Sequence, residues 1–242
     1  MKIYAHRGYS GLYPENTMLA FRKAHLEDID GIELDVQLTK DGTVVIIHDE
    51  KVDRTTNKTG LVCDYHIEEL KTLNAAALYP HIIDFEPIPT FEEYCQWVKT
   101  TNLITNIEIK SGVIYYIDLE KKVVDIIKKY ELEEQVIISS FNHLSLVDSK
   151  NISPNLPLAA LVGHTMLKNA GYYCQKFGFS YFHPSYASLS KEIIEECHEH
   201  KVAINVWTVN TIEEISHCLT LSIDGIITNF PKEAREYLQT NT

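Results

Sequence analysis

Several short apolar segments of this chain carry ionisable side chains where a buried strand would ordinarily be apolar. They are Ile3-Tyr4-Ala5-His6-Arg7-Gly8, Ile32-Glu33-Leu34-Asp35-Val36, Val45-Ile46-Ile47-His48-Asp49 and Ile107-Glu108-Ile109-Lys110. An unpaired buried charge is costly, so such groups need partners or a cation. Glu33/Asp35 and Glu108/Lys110 are spaced by two, which on a strand puts both members on one face. One pocket could therefore receive three carboxylates, two imidazoles, a guanidinium and an ammonium. That mixture suits metal-assisted acid/base chemistry on an anionic substrate.

Each of these residues also has a plainer reading. Glu33 and Asp35 could be ion-paired structural carboxylates, but Glu108 on a separate strand shifts the balance towards a metal site. Three hard oxygen ligands suit Mg²⁺ or Ca²⁺ better than Zn²⁺. His6 and His48 could be core histidines, yet two of them at strand ends beside carboxylates are better explained as proton-transfer groups. Arg7 could be a surface residue, but its guanidinium suits bidentate phosphate contact, with Gly8 beside it allowing close approach. Lys110 could neutralise Glu108 and also touch phosphate. Phe141 and Trp207, usually core types, fall near strand ends and could wall a substrate pocket. Asn16 is most simply a helix cap, although a cap at a barrel mouth can also touch the site. His183 at a strand end is ambiguous. His198 and His200 flank Glu199 on what reads as a solvated helix end.

The elements that position these residues recur as strand then helix. Strands are expected at Lys2–His6, Gly31–Gln37, Asn106–Lys110, Val136–Ser140, Pro157–Val162, Tyr181–Pro184, Ala203–Thr208 and Gly225–Thr228. Thr43–Ile47 returns as a hairpin partner after the turn Lys40-Asp41-Gly42. Helices are expected from a cap at Asn16-Thr17 to His25, from a cap at Thr90 to Lys99, over Ile117–Tyr130 with Ile117 on the buried side, and over Asn142–Asp148, Met166–Lys176, Lys191–His200 and Thr211–Leu219. A last helix starts at Pro231. Residues 50–86 break the pattern: polar loop, a short helix candidate over Ile67–Leu73, and Pro-rich sequence up to Pro89. Leu61, Ile67, Leu70 and Leu73 give the stretch a small apolar face, so it reads as a cap inserted into a single domain of residues 1–242. Eight strand–helix units in 242 residues imply a closed TIM (β/α)8 barrel, with the insertion after its second strand. An open doubly wound sheet fits less well, since no glycine-rich dinucleotide loop opens the chain.

Composition narrows the function classes. Apolar residues make up 45% and charged residues 23%, and the formal net charge is −12. That charge argues against nucleic acid and against electrostatic docking on anionic membrane, but a metal and a few cations can still set a local field. Cys63, Cys95, Cys174, Cys197 and Cys218 are odd in number and widely spaced, which suits free thiols in a reducing compartment. With no signal-peptide pattern and no apolar run of membrane-spanning length, a cytoplasmic location without stable membrane insertion is expected. Oligomeric state is not legible.

In order along the chain, His6-Arg7-Gly8, Pro14-Glu15-Asn16-Thr17, Glu33-Leu34-Asp35-Val36, Thr39-Lys40-Asp41-Gly42, His48-Asp49, Asp53-Arg54-Thr55-Thr56, Glu108-Ile109-Lys110, Ser139-Ser140-Phe141, Val206-Trp207-Thr208-Val209-Asn210 and Asp224-Gly225-Ile226-Ile227-Thr228-Asn229-Phe230-Pro231 resemble the glycerophosphodiester phosphodiesterase family. The resemblance implies a barrel of the phospholipase-C-like phosphodiesterase type with a small insertion after the second barrel strand. It implies one divalent cation, Mg²⁺ or Ca²⁺, held at Glu33, Asp35 and Glu108. It makes His6 and His48 the acid/base pair, and Arg7 and Lys110 the phosphate contacts. The expected reaction is hydrolysis of glycerophosphodiesters to glycerol 3-phosphate and an alcohol. Two alternatives stand beside it: a related barrel phosphodiesterase acting on phospholipid or lysophospholipid head groups, and a catalytically silent barrel that binds without turnover.

Overall fold

Alternating side-chain direction along each strand sorts this chain into a shell and a lining. The computed structural model describes residues 1–163 and 167–241. Strands β1 (Lys2–His6), β2 (Gly31–Leu38), β4 (Ile104–Ile109), β5 (Val136–Ser140), β6 (Leu158–Val162), β7 (Tyr181–Pro184), β8 (Ala203–Val206) and β9 (Gly225–Thr228) pair in parallel, and β1 pairs with both β9 and β2, closing the barrel. The short β3 (Val44–Ile46) lies antiparallel on β2, with Val36 opposite Ile46. In β2, Ile32, Leu34 and Val36 join the large apolar cluster shared with the helices, while Glu33 and Asp35 alternate to the opposite face. A smaller cluster of Tyr4, Ile137, Ala159 and Ile227 stands apart from that shell. Gly31 is required by this arrangement: a Cβ there would meet the Ile104 carbonyl at 2.4 Å and the Tyr4 ring at 2.6 Å.

Helices α1 (Met18–His25), α3 (Phe91–Val98), α4 (Leu119–Lys129), α5 (His143–Ile152), α6 (Ala170–Phe177), α7 (Lys191–Glu199), α8 (Ile212–Thr220) and α9 (Pro231–Asn241) follow the strands. Local sequence starts them. Thr90 and Thr211 close capping boxes with Glu93 and Glu214, and Ser190 and Asn142 accept first-turn N–H groups.

Three expectations need correction. Thr17, not Asn16, caps α1, because its hydroxyl accepts from Ala20 N. Helix α4 begins at Leu119, and Ile117 is 73% exposed in the preceding loop, so its place in the apolar periodicity was accidental. The strand expected over Ala203–Thr208 ends at Val206; Trp207 still bridges to Ser185 beyond it, and Thr208 is loop. Met166, expected to open the fifth of the larger helices, lies outside the described residues.

Between β3 and α3, residues 50–86 form a 3₁₀ turn at Val62–Asp64, the single-turn α2 (Ile67–Leu70) and loops. Val52, Val62, Leu70, Leu73 and Ala75 pack with Val45, Ile47 and Ile88 in a cluster of their own. A backbone bond from Lys40 N to Tyr65 O, and the Leu19 N–H donating to the Glu86 side chain, tie the stretch to the barrel.

Candidate active site

The parallel register brings the ionisable residues into one layer. His6 stands beside Glu33, Glu33 beside Asn106, and Asp35 beside Glu108. His6 ends β1, Glu108 lies one residue before the end of β4, and the register sets Glu33, Asp35 and Asn106 beside them, towards the end where the loops of a barrel build its site. A cavity there is lined by His6, Arg7, Glu33, His48, Asn106, Glu108, Phe141 and Trp207, among others. Lys110 borders an adjoining cavity shared with Glu108 and Phe141. All nine residues expected from the sequence therefore gather at this end of the barrel. Phe141 and Trp207 meet edge to face, ring centroids 5.5 Å apart.

Ligand atoms of Glu33, Asp35 and Glu108 lie within 4.8 Å of one another, all three residues buried. Glu33 Oε2 accepts the Arg7 backbone N–H at 3.0 Å and lies 3.9 Å from His6 Nε2. Asp35 Oδ2 accepts from Asn16 Nδ2 at 2.8 Å, with Arg7 Nε at 3.3 Å. Lys110 Nζ donates to Glu108 Oε1 at 2.8 Å and stands 3.7 Å from Asp35 Oδ1.

These contacts leave the carboxylates under-compensated. Burial opposes ionisation of Asp35, but Arg7 and Lys110 outweigh it and hold its carboxyl below the usual range. Glu33 is pushed well above that range, first by burial and then by the Asp35 charge. Glu108 is raised by burial and Asp35 despite Lys110. Asp35 Oδ1 and Asn106 Oδ1 are buried oxygens that accept no hydrogen bond among the described residues. Buried hard oxygens with accepting capacity left over, crowded by like charge, form a donor set that a divalent hard cation fits.

The imidazoles are held differently. His6 Nδ1 lies 2.6 Å from Asn229 Oδ1, which gives its proton to that side and leaves Nε2 bare towards Glu33. Burial, with Arg7 beside it, lowers the His6 pKa to about 4. His48 Nδ1 lies 2.6 Å from Asp49 Oδ1. The His48 turn follows β3 and is pinned by the Gln37 amide, which donates to the carbonyls of Ile47, His48 and Asp49 at 3.0, 2.9 and 2.8 Å.

Sequence reasoning missed Asn106, Asn229 and Gln37 as site residues; of its two readings of Asn16, the contact with the site holds and the helix cap does not. Asn106 lies two positions before Glu108 on the same strand, so the spacing-of-two rule that found Glu108 and Lys110 extends to it. Gly8 has a further reason to be glycine. With φ +80°, it lets α1 approach, since a Cβ would meet the Ala20 carbonyl carbon at 2.7 Å. His183 is fully buried, with Nε2 accepting from Asn205 Nδ2 at 3.0 Å, and is no part of the cavity. His198 pairs with Asp224 at 2.9 Å on the half-exposed helix end expected of it.

Fold and site together define a parallel (β/α)8-barrel protein with an acidic centre able to hold a metal ion at the carboxyl ends of its strands. A sequence profile of the glycerophosphoryl diester phosphodiesterase family matches residues 6–233, and the chain belongs to that family. It is 42% identical over 230 residues to a glycerophosphodiester phosphodiesterase of Caldanaerobacter subterraneus subsp. tengcongensis, covering 95% of this chain and 94% of that protein. A crystal structure of a glycerophosphodiester phosphodiesterase from Thermotoga maritima superposes with TM-score 0.78 at 29% identity, over 96% of each chain. The fold is also that of an Oleispira antarctica phosphodiesterase solved with its product sn-glycerol-3-phosphate: TM-score 0.88 and 23% identity, over 99% of this chain and 97% of that one.

Proposed function

We propose that the protein hydrolyses glycerophosphodiesters to sn-glycerol 3-phosphate and an alcohol, using one divalent cation at Glu33, Asp35 and Glu108. The observation that carries this is the convergence of those carboxylates with Arg7, Lys110 and two differently held imidazoles around one cavity. When bound, a hard cation there would neutralise phosphate charge and stabilise an in-line displacement.

The chain's own residues supply the rest. Arg7 and Lys110 bind the phosphate oxygens. His6 is the general base: its Nδ1 proton is committed to Asn229, so Nε2 takes the proton of the attacking hydroxyl as its oxygen bonds to phosphorus. His48 is the general acid: it gives a proton to the departing alkoxide as the phosphorus–oxygen bond breaks, with Asp49 fixing its ring. The attacking group is water, or the substrate's own 2-hydroxyl with water opening the cyclic phosphate afterwards; both use the same two histidines. Phe141 and Trp207 form the wall against the glycerol moiety.

Residues 50–86 act as a cap over the mouth that governs head-group access, within a single domain. Their packing on Val45, Ile47 and Ile88 and their position directly after His48 support this. No helix among the described residues is long and apolar enough to cross a membrane; we infer a cytoplasmic enzyme acting on small soluble diesters. The Oleispira complex with sn-glycerol-3-phosphate supports the same product here. The test is ³¹P NMR of glycerophosphocholine incubated with the purified protein and Mg²⁺ or Ca²⁺. Sn-glycerol 3-phosphate should accumulate with free choline; phosphocholine as product, or no turnover of any glycerophosphodiester, would overturn the reading.

A further inference from the structure

The reading above leaves Arg54 without a task, yet its guanidinium is the most heavily engaged at the mouth. Nε donates to Asp49 Oδ2 at 2.7 Å and Nη2 to Asp49 Oδ1 at 3.1 Å. Nη1 and Nη2 also donate to Glu15 Oε2 and Oε1 at 2.8 and 2.7 Å. Glu15 Oε1 accepts from Arg7 Nη1 at 2.9 Å as well. Asp49 Oδ1 is the atom that holds His48 Nδ1. A continuous chain thus runs Arg7, Glu15, Arg54, Asp49, His48. It joins the loop after β1 to the turn after β3 through one side chain of the inserted segment.

That chain meets a specific need. His48 and Asp49 lie in a turn beyond β3, outside the barrel wall, and both side chains are about 30% exposed. Gln37 fixes their backbone but not the imidazole. A carboxylate that is free to rotate orients its partner ring poorly. A fork of two parallel N–H bonds removes that freedom, and only a planar guanidinium supplies it. The Asp49 carboxyl is correspondingly held low, at about 2, by Arg54 and His48 against the effect of burial.

We propose that Arg54 is a positioning residue of the reaction: through its two-bond hold on Asp49 it fixes the His48 imidazole with Nδ1–H on Asp49 and Nε2 facing the leaving group, while Glu15 anchors Arg54 to the loop that carries Arg7. The proposal rests on the assignment of His48 as general acid. Orienting partners of working imidazoles and ligands characteristically contribute about 10–100-fold.

The test compares wild type, Arg54→Ala, Arg54→Lys and His48→Ala in the full chain. Turnover is measured on glycerophosphocholine and on a p-nitrophenyl glycerophosphodiester, whose leaving group needs no proton. The ring ¹⁵N resonances of His48 are recorded in parallel. Arg54→Ala should lower kcat on glycerophosphocholine by about 10–100-fold with KM within about twofold, lose only a few-fold on the p-nitrophenyl substrate, and show a mixture of His48 tautomers. Arg54→Lys, which keeps charge without the fork, should recover only a small part. A residue that merely braces the loop would lower both substrates equally and leave the ¹⁵N pattern unchanged; that result overturns the proposal. Unchanged kcat in Arg54→Ala also overturns it. If His48→Ala itself keeps its rate on glycerophosphocholine, the acid assignment falls and the role of Arg54 with it.

Discussion

His6 Nδ1 and Asn229 Oδ1 lie 2.6 Å apart although 223 positions separate them. The bond joins the last residue of β1 to the residue after β9, across the pairing of first and last strands. Ser10 Oγ also donates to the same Asn229 oxygen, at 3.1 Å, which keeps the amide oriented. Closure of the barrel is therefore what sets the tautomer of the proposed base, and Nε2 is left as the proton-accepting atom.

The first prediction concerns pH. Burial and Arg7 lower the His6 pKa to about 4. A base works when neutral, so its contribution is present above that value and is lost as pH falls through it. The acid limb of kcat/KM at saturating cation should fall well below the ordinary histidine value of about 6.5, since a bound cation beside Glu33 would disfavour the imidazolium further. An Asn229→Ala variant should move that limb and lower kcat; a limb fixed at the ordinary value in both proteins would argue against His6 as base.

A second prediction links cation and protons. The carboxyls of Glu33 and Glu108 are raised above their ordinary value of 4.5 by burial and by Asp35. A raised carboxyl contributes stability below the unfolded value and loses it as pH rises through the folded one. The melting temperature of the cation-free protein should therefore suffer as pH climbs, and the increment given by Mg²⁺ or Ca²⁺ should grow over the same interval. Thermal unfolding in EDTA and in cation, across about pH 5 to 8, measures it. An increment independent of pH would contradict the carboxylates as the binding groups.

The barrel and much of the site were legible because both follow from short-range rules. A spacing of two along β2 and β4 put Glu33 with Asp35 and Glu108 with Lys110, and caps such as Thr90 and Ser190 started helices where expected. What escaped depends on distant register. Asn229 and His6 meet only when the barrel closes. Arg54 lies in a stretch that reads as polar loop, and its four hydrogen bonds need the folded insertion. Ile117 misled in the other direction, since helical periodicity alone cannot tell where α4 begins.

Proton transfer gives a third prediction. His6→Ala and His48→Ala should each lower turnover of glycerophosphocholine by roughly 10²–10⁴-fold, the usual worth of an acid or base. Only His48→Ala should recover on a p-nitrophenyl diester, because an activated leaving group departs without a proton. Equal recovery of both variants would show that the roles are assigned wrongly.

The inserted segment gives the fourth. Replacing residues 55–82 by a short glycine/serine linker keeps Arg54 and its partners Asp49 and Glu15. The relative rates on glycerophosphocholine, glycerophosphoethanolamine and glycerophosphoglycerol should change, while the cation is still bound. Side-by-side rates on a folded variant decide it. Fixed ratios with turnover gone for every substrate would mean that the segment holds part of the reacting site.

The central claim is that buried carboxylates from two strands hold a cation on which diester hydrolysis depends. Its most direct test is the rate of glycerophosphocholine hydrolysis after exhaustive EDTA treatment and again after Mg²⁺ or Ca²⁺ is restored, for the wild type beside Glu33→Gln, Asp35→Asn and Glu108→Gln. The wild type should lose nearly all turnover and regain it with cation, and the folded variants should stay nearly inactive in both conditions. Full turnover of the wild type in EDTA would contradict the claim.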